Sequence, residues 1–224
     1  TDVKSLLLRF NRTGQMAAWS EHFNGQAVYG ARLIDIHTGT TKPFFLGGEN
    51  TLTVCNASDG SVLSNALLSD AGQLVGAQAN ACSDESGLYI LSTDAHTKIA
   101  PPKGYLVRQV VGANSNGQIA ANAIPQSTAI LSSPAGFVWN GTSYKRLTLP
   151  FISLLSGFTQ TEAVAINDAG TVAGNVTKRD GTSHSAVWQN LSATDIGTLS
   201  GFKHSMTLAI NTDGMVLACA YNTQ

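Results

Sequence analysis

Charge is scarce in this chain of 224 residues: Asp, Glu, Lys and Arg together make up 12%, about half the usual globular share. Thirteen basic against fourteen acidic residues leave a formal net charge of −1. That balance argues against nucleic acid and against a polybasic membrane surface as partners, because both require clustered positive charge. No run of about 18 apolar residues occurs, which excludes a transmembrane helix. The three cysteines, Cys55, Cys82 and Cys219, are too few for a disulfide scaffold, and no C-x-x-C or H-E-x-x-H spacing accompanies them. Proline and tryptophan are rare too, with six and three copies. What fills the chain instead is Ser, Thr, Asn, Gln, 22 glycines and 43% apolar residues, enough to bury a core and to exclude disorder.

The low charge and abundant Ser, Thr and Asn point to secretion, to an extracellular or periplasmic setting. Thr1-Asp2-Val3-Lys4 is not a signal peptide, and fits a mature N-terminus or a fragment boundary. In an oxidising compartment a Cys55–Cys82 bridge is expected, since both cysteines lie in polar, turn-rich segments. Such a loop stabilises by about 3 kcal/mol when unstrained. Three free thiols are the alternative.

The organising signal is a recurrent apolar-Asn-x-x-Gly element followed by an apolar stretch. It begins at Phe10-Asn11-Arg12-Thr13-Gly14 and returns at Leu68-Ser69-Asp70-Ala71-Gly72, with Ser in place of Asn. Further copies are Ala113-Asn114-Ser115-Asn116-Gly117, Ile166-Asn167-Asp168-Ala169-Gly170 and Ile210-Asn211-Thr212-Asp213-Gly214. Successive glycines stand 58, 45, 53 and 44 residues apart. A strand-built repeat of about 40 to 50 residues is the spacing of β-propeller blades. Asn or Ser bonds its own backbone and Gly accepts positive φ, so each element predicts a tight turn between antiparallel strands. Aromatic strands follow, as in Gly136-Phe137-Val138-Trp139 and His184-Ser185-Ala186-Val187-Trp188, and then a fourth strand ending near Pro or Gly. The expected architecture is all-β: one repeat domain over 1–224, with four-stranded blades at about 3–47, 61–103, 105–150 and 161–200 and a partial one at 205–224. Only Phe151 to Gly157 is credible as a short helical turn.

The stretch Ala165-Ile166-Asn167-Asp168-Ala169-Gly170-Thr171-Val172-Ala173-Gly174, with His184 to Trp188 and Ile196-Gly197-Thr198-Leu199-Ser200-Gly201, resembles the extracellular HAF-repeat family. That family runs Ala-Ile-Asn-x-x-Gly-x-Val-x-Gly, His-Ala-Phe-x-Trp and Leu-Gly-Thr-Leu-Gly-Gly. The likeness is clearest over 161–217, thinner over 105–150 and faintest over 1–100. It departs at His184-Ser185-Ala186 and at Ser69. The resemblance implies a kelch-like propeller and an extracytoplasmic home, and brings no catalytic residues.

The fifth repeat offers two strands before residue 224, so four blades and a half cannot close a ring alone. The chain is a fragment, another chain supplies strands, or 47–66 does. A half-blade leaves an edge near 214–221 open to a protein partner or a second copy. The expected function is a non-enzymatic binding or assembly module. A lectin-like carbohydrate binder would stack sugars on Trp19, Trp139 and Trp188, whose place in the repeated strands makes packing between blades their default role, and a glycoside-active enzyme would need a carboxylate pair such as Glu49 and Glu162 in a channel. Asp70, Asp168 and Asp213 serve turns, and no Gly-x-Ser-x-Gly elbow occurs. His184 is read as a hydrogen-bonding residue of the aromatic strand, and the five histidines show no metal-ligand spacing. No cofactor is expected, and calcium at the Asn56-Ala57-Ser58-Asp59-Gly60 loop is the one candidate ion.

Overall fold

The structure is a computed structural model that describes residues 3–23, 27–44, 66–78, 87–126, 133–150 and 157–222. Glu49, Cys55, Cys82, the 56–60 loop, most of 47–66 and residues 151–156 lie outside them. The expectations placed there are therefore not addressed by the structure.

The chain is all-β, with the blade architecture of β-propellers. Four-stranded antiparallel meanders succeed one another along the sequence. Repeat 1 comprises β1 (Val3–Phe10), β2 (Gln15–Phe23), β3 (Ala27–Asp35) and β4 (Thr41–Pro43). Repeat 2 comprises β5 (Leu67–Leu68), β6 (Leu74–Gln78), β7 (Gly87–Leu91) and β8 (His96–Ile99). Repeat 3 holds β9 (Tyr105–Ala113), β10 (Ile119–Pro125), β11 (Ala135–Trp139) and β12 (Tyr144–Arg146). Repeat 4 holds β13 (Phe158–Ile166), β14 (Val172–Lys178), β15 (Ser183–Gln189) and β16 (Ser192–Gly197). Repeat 5 is the hairpin β17 (His204–Ile210) and β18 (Val216–Tyr221). The chain divides into two compact units, Thr1–Pro101 with repeats 1 and 2 and Pro102–Gln224 with repeats 3 to 5.

The five repeat turns share one geometry. In each, the first residue's N–H bonds the carbonyl four residues on, at 2.8 to 3.0 Å, as Asn167 does with Thr171. The side-chain oxygen of Asn11, Ser69, Asn114, Asn167 or Asn211 accepts the N–H of that same fourth residue, at 2.8 to 3.1 Å. Glycines 14, 72, 117, 170 and 214 all sit at φ between +74° and +85°, where a side chain is strained. That one requirement explains why Gly recurs at the same step of every copy.

Strand 2 of repeats 2, 3 and 4 is buried on both faces. Ala17, Val75, Ala120 and Ala173 occupy one position after the turn and are each 0 or 1% exposed. Their apolar runs thus read as continuous rather than alternating. In the second unit, the core gathers Ala120, Val138, Leu147, Phe158, Val172, Val176 and Trp188. It lies where sheets of successive repeats face one another.

Candidate functional site

The repeats are joined by side-chain amides that the turns alone do not require. Asn11 Nδ2 donates to the carbonyl of Ser69, Asn114 Nδ2 to that of Asn167, and Asn167 Nδ2 to that of Asn211, at 2.9, 3.1 and 3.1 Å. Each turn thereby grips the first residue of the next. A second tier lies within strand 2. Asn122 bonds both backbone groups of Ala163, accepting from its N–H at 2.8 Å and donating to its carbonyl at 2.9 Å. Asn175, its counterpart, accepts from the Thr207 N–H at 2.9 Å, while Thr207 Oγ1 donates to the Gly174 carbonyl at 2.6 Å. A third tier uses hydroxyls: Thr161 accepts from Gly136 N–H and Ser205 from Ser185 N–H. These polar groups are buried, so each satisfied pair holds neighbouring sheets in register. In the first unit, Arg12 adds an ion pair with Asp70, whose carboxylate also takes the Arg12 N–H.

The fifth hairpin receives these links on one face and, among the described residues, passes none on. His204, Ser205 and Thr207, which face repeat 4, are 3 to 6% exposed. On the opposite face Met206, Leu208 and Leu217 are 41%, 48% and 61% exposed. Leu217 stands where repeats 1 to 4 have Ala17, Val75, Ala120 and Ala173, all buried. Cys219 occupies the place of Asn122 and Asn175 and carries no disulfide. Asn211 accepts the Met215 N–H, but among the described residues its Nδ2 has no acceptor. The edge of β18 is open as well, since the described sheet contains only β17 and β18. The Met215 carbonyl is taken by Asn211. By alternation Val216, Ala218 and Ala220 aim their N–H and C=O outward. No charge or proline guards that strand.

The residues considered for ligand chemistry are placed as follows. Trp188 is 1% exposed and donates through Nε1 to the Thr148 carbonyl at 2.7 Å, so it packs between repeats 3 and 4. Trp139 is half-buried, tilted against Tyr144 with ring centroids 5.0 Å apart. His184 bonds Asp195 at 3.0 Å and meets the Phe158 ring edge-on at 5.2 Å. Glu162 is exposed and takes a long, 3.4 Å bond from Asn175 Nδ2. The structure brings none of these four together with another as a site. Among the described residues no three His, Cys, Asp or Glu side chains converge on a point. There is also no helix long and apolar enough to cross a membrane.

Sequence reading located the open edge of the fifth hairpin but not its uncovered face. The signal was present: Leu217 and Cys219 replace the Ala and Asn of repeats 3 and 4. Asn122 and Asn175 were missed too, although a lone Asn in an apolar strand between small residues is conspicuous.

No family model matches the chain, and no curated protein matches it. Among solved structures it is similar to TolB from Acinetobacter baumannii, at 15% identity and TM-score 0.49, covering 99% of this chain and 55% of that one. The β-propeller domain of the Trilobed protease from Pyrococcus furiosus matches at 9% identity and TM-score 0.40, over 98% of this chain and 79% of that one. Trypanosoma rangeli sialidase matches at 13% identity and TM-score 0.39, over 94% and 44%. The chain thus spans about half the length of the TolB chain. All three likenesses are of fold.

Proposed function

We propose that this protein is a non-enzymatic binding and assembly module of HAF-repeat, kelch-like type that works outside the cytoplasm and associates through its fifth hairpin. One observation carries the reading: the hairpin presents an uncovered apolar face and an open, uncharged strand edge on the same element. Exposed apolar patches and unguarded edges are unusual on soluble monomers, and mark surfaces that meet a partner. The extracytoplasmic setting draws its support from the low charge and the HAF-like motif. The repeats supply a rigid scaffold, and the partner pairs with or packs on the element at its end.

Sedimentation velocity over a wide concentration range tests this. Reversible self-association is expected, weakened by Ala218→Pro, which removes an outward N–H from β18. A chain that stays monomeric throughout, with no change on Ala218→Pro, would refute self-association.

A further inference from the structure

Asparagine is followed directly by glycine at Asn24-Gly25, Asn116-Gly117 and Asn140-Gly141, and the first of these pairs lies outside the described residues. Such a pair can react with itself, because glycine has no side chain to keep its nitrogen away from the asparagine side-chain carbonyl. What holds that nitrogen and that amide decides the outcome. Asn116 and Asn140 are both exposed, and the fold treats them in opposite ways.

Asn116 belongs to the repeat-3 turn. Its Nδ2 donates to the Asp168 carbonyl of the next repeat at 2.8 Å, and the Gly117 N–H is taken by the Asn114 carbonyl at 3.1 Å. The group that would attack and the group that would leave are therefore both engaged. Asn140 closes the hairpin between β11 and β12, whose last strand pair is Trp139 with Tyr144. Its Oδ1 accepts from the Thr142 N–H at 3.1 Å, the Thr142 hydroxyl at 3.0 Å and the Ser143 N–H at 2.9 Å. Those bonds fold the side chain back over the peptide that joins it to Gly141. Among the described residues, nothing accepts from Asn140 Nδ2 or from the Gly141 N–H. Gly141 sits at φ +96°, and apart from its chain neighbours no heavy atom lies within 4 Å of where a Cβ would stand. Three donors on one carbonyl oxygen also stabilise the negative charge that gathers there when the carbon is attacked.

We infer that Asn140 is a site of self-modification, in which the folded hairpin promotes loss of the side-chain amide. The Gly141 nitrogen bonds to Asn140 Cγ and closes a succinimide ring. The bond from Cγ to Nδ2 breaks, and ammonia leaves with the proton from Gly141. Water then opens the ring at either carbonyl, giving aspartate or its β-linked isomer at residue 140. Either product adds one negative charge, and the isomer lengthens the main chain of the hairpin loop. Asn116 stays intact while the protein is folded. The site lies within repeat 3 and is independent of the assembly reading above.

Ageing the purified protein in mildly alkaline buffer, with and without denaturant, tests this. Peptide mapping by mass spectrometry follows residues 116 and 140 separately. In the folded protein Asn140 is expected to convert about tenfold faster than Asn116, and in denaturant the two should react at similar rates. Thr142→Val keeps the backbone donor and removes the hydroxyl. It should slow conversion at Asn140 several-fold, with Asn116 and the circular dichroism unchanged. Any of four results overturns the proposal: Asn116 converting as fast as Asn140 in the folded protein, Asn140 staying intact there, the same preference persisting in denaturant, or a rate at Asn140 that Thr142→Val does not lower.

Discussion

Asparagine does two jobs at the head of these turns, and the substitution already present in the chain separates them. Its side-chain oxygen closes the turn, and its amide reaches the next repeat. Ser69 keeps the first, accepting from Gln73 at 3.1 Å, and has no amide for the second. Asn167→Ser should therefore lose only the link to Asn211, costing about 1 kcal/mol, whereas Asn167→Ala should lose both and cost about 2 to 3 kcal/mol. Denaturant unfolding measures both: an Asn167→Ser variant as stable as the wild type would show that the amide link contributes nothing, and equal losses in the two variants would show that the turn-closing oxygen contributes nothing. Tyr144 gives the opposite case. Its hydroxyl is buried with no partner among the described residues, and burial pushes its pKa up. Tyr144→Phe removes that unpaired group and keeps the ring against Phe137 and Trp139, so it is expected to be neutral or stabilising by up to about 1 kcal/mol. Destabilisation would mean that the hydroxyl is paired. Asp180 supplies a pH dependence. The Thr182 N–H, donating to its carboxylate, holds its pKa below 3.8. A depressed carboxylate stabilises above its ordinary pKa and loses that stabilisation as pH falls through the folded value. The gap in melting temperature between wild type and Asp180→Asn should thus narrow on acidification below about pH 4, and a gap that widens would contradict the assignment.

At the scale of the element, the hairpin is what the sequence reveals most readily, because its information is local. Four residues from Asn to Gly, with an apolar neighbour on each side, suffice to place each turn, and five copies at similar spacing imply strands in blades. Strands 3 and 4 were found from their aromatic and Pro-bounded runs. The links between sheets were not found, because they join residues 20 to 58 positions apart and depend on which strand face turns toward a neighbour. Gly174 shows how tight that approach is. A Cβ there would fall inside contact with the Glu162 carbonyl on the paired strand, although its backbone needs no positive φ. Gly174→Ala is expected to destabilise by about 3 kcal/mol, since the obstacle is backbone and cannot swing aside. An alanine tolerated without loss would mean that β13 and β14 pair more loosely than the register shows. The repeat-3 counterpart is already Ala121, so the constraint belongs to this pair of strands and not to the motif.

For the whole molecule, the order of the repeats matters more than any one site. Repeats of this kind grip only their neighbours along the chain. Among the described residues, Phe10 of repeat 1 and Leu217 of repeat 5 are exposed, and the turn of repeat 5 carries an amide with nothing described to receive it. The carboxylates, histidine and tryptophans that suggested ligand chemistry were legible only as residue types. The structure engages Trp188 and His184 in bonds that serve the sheets themselves. Function is therefore sought where the stacking stops. Hydrogen–deuterium exchange of residues 204–221, followed from dilute to concentrated protein, tests this most directly. Protection of that segment should rise with concentration while that of 172–178, already covered on both faces, stays constant. Exchange of 204–221 that is independent of concentration would contradict the account.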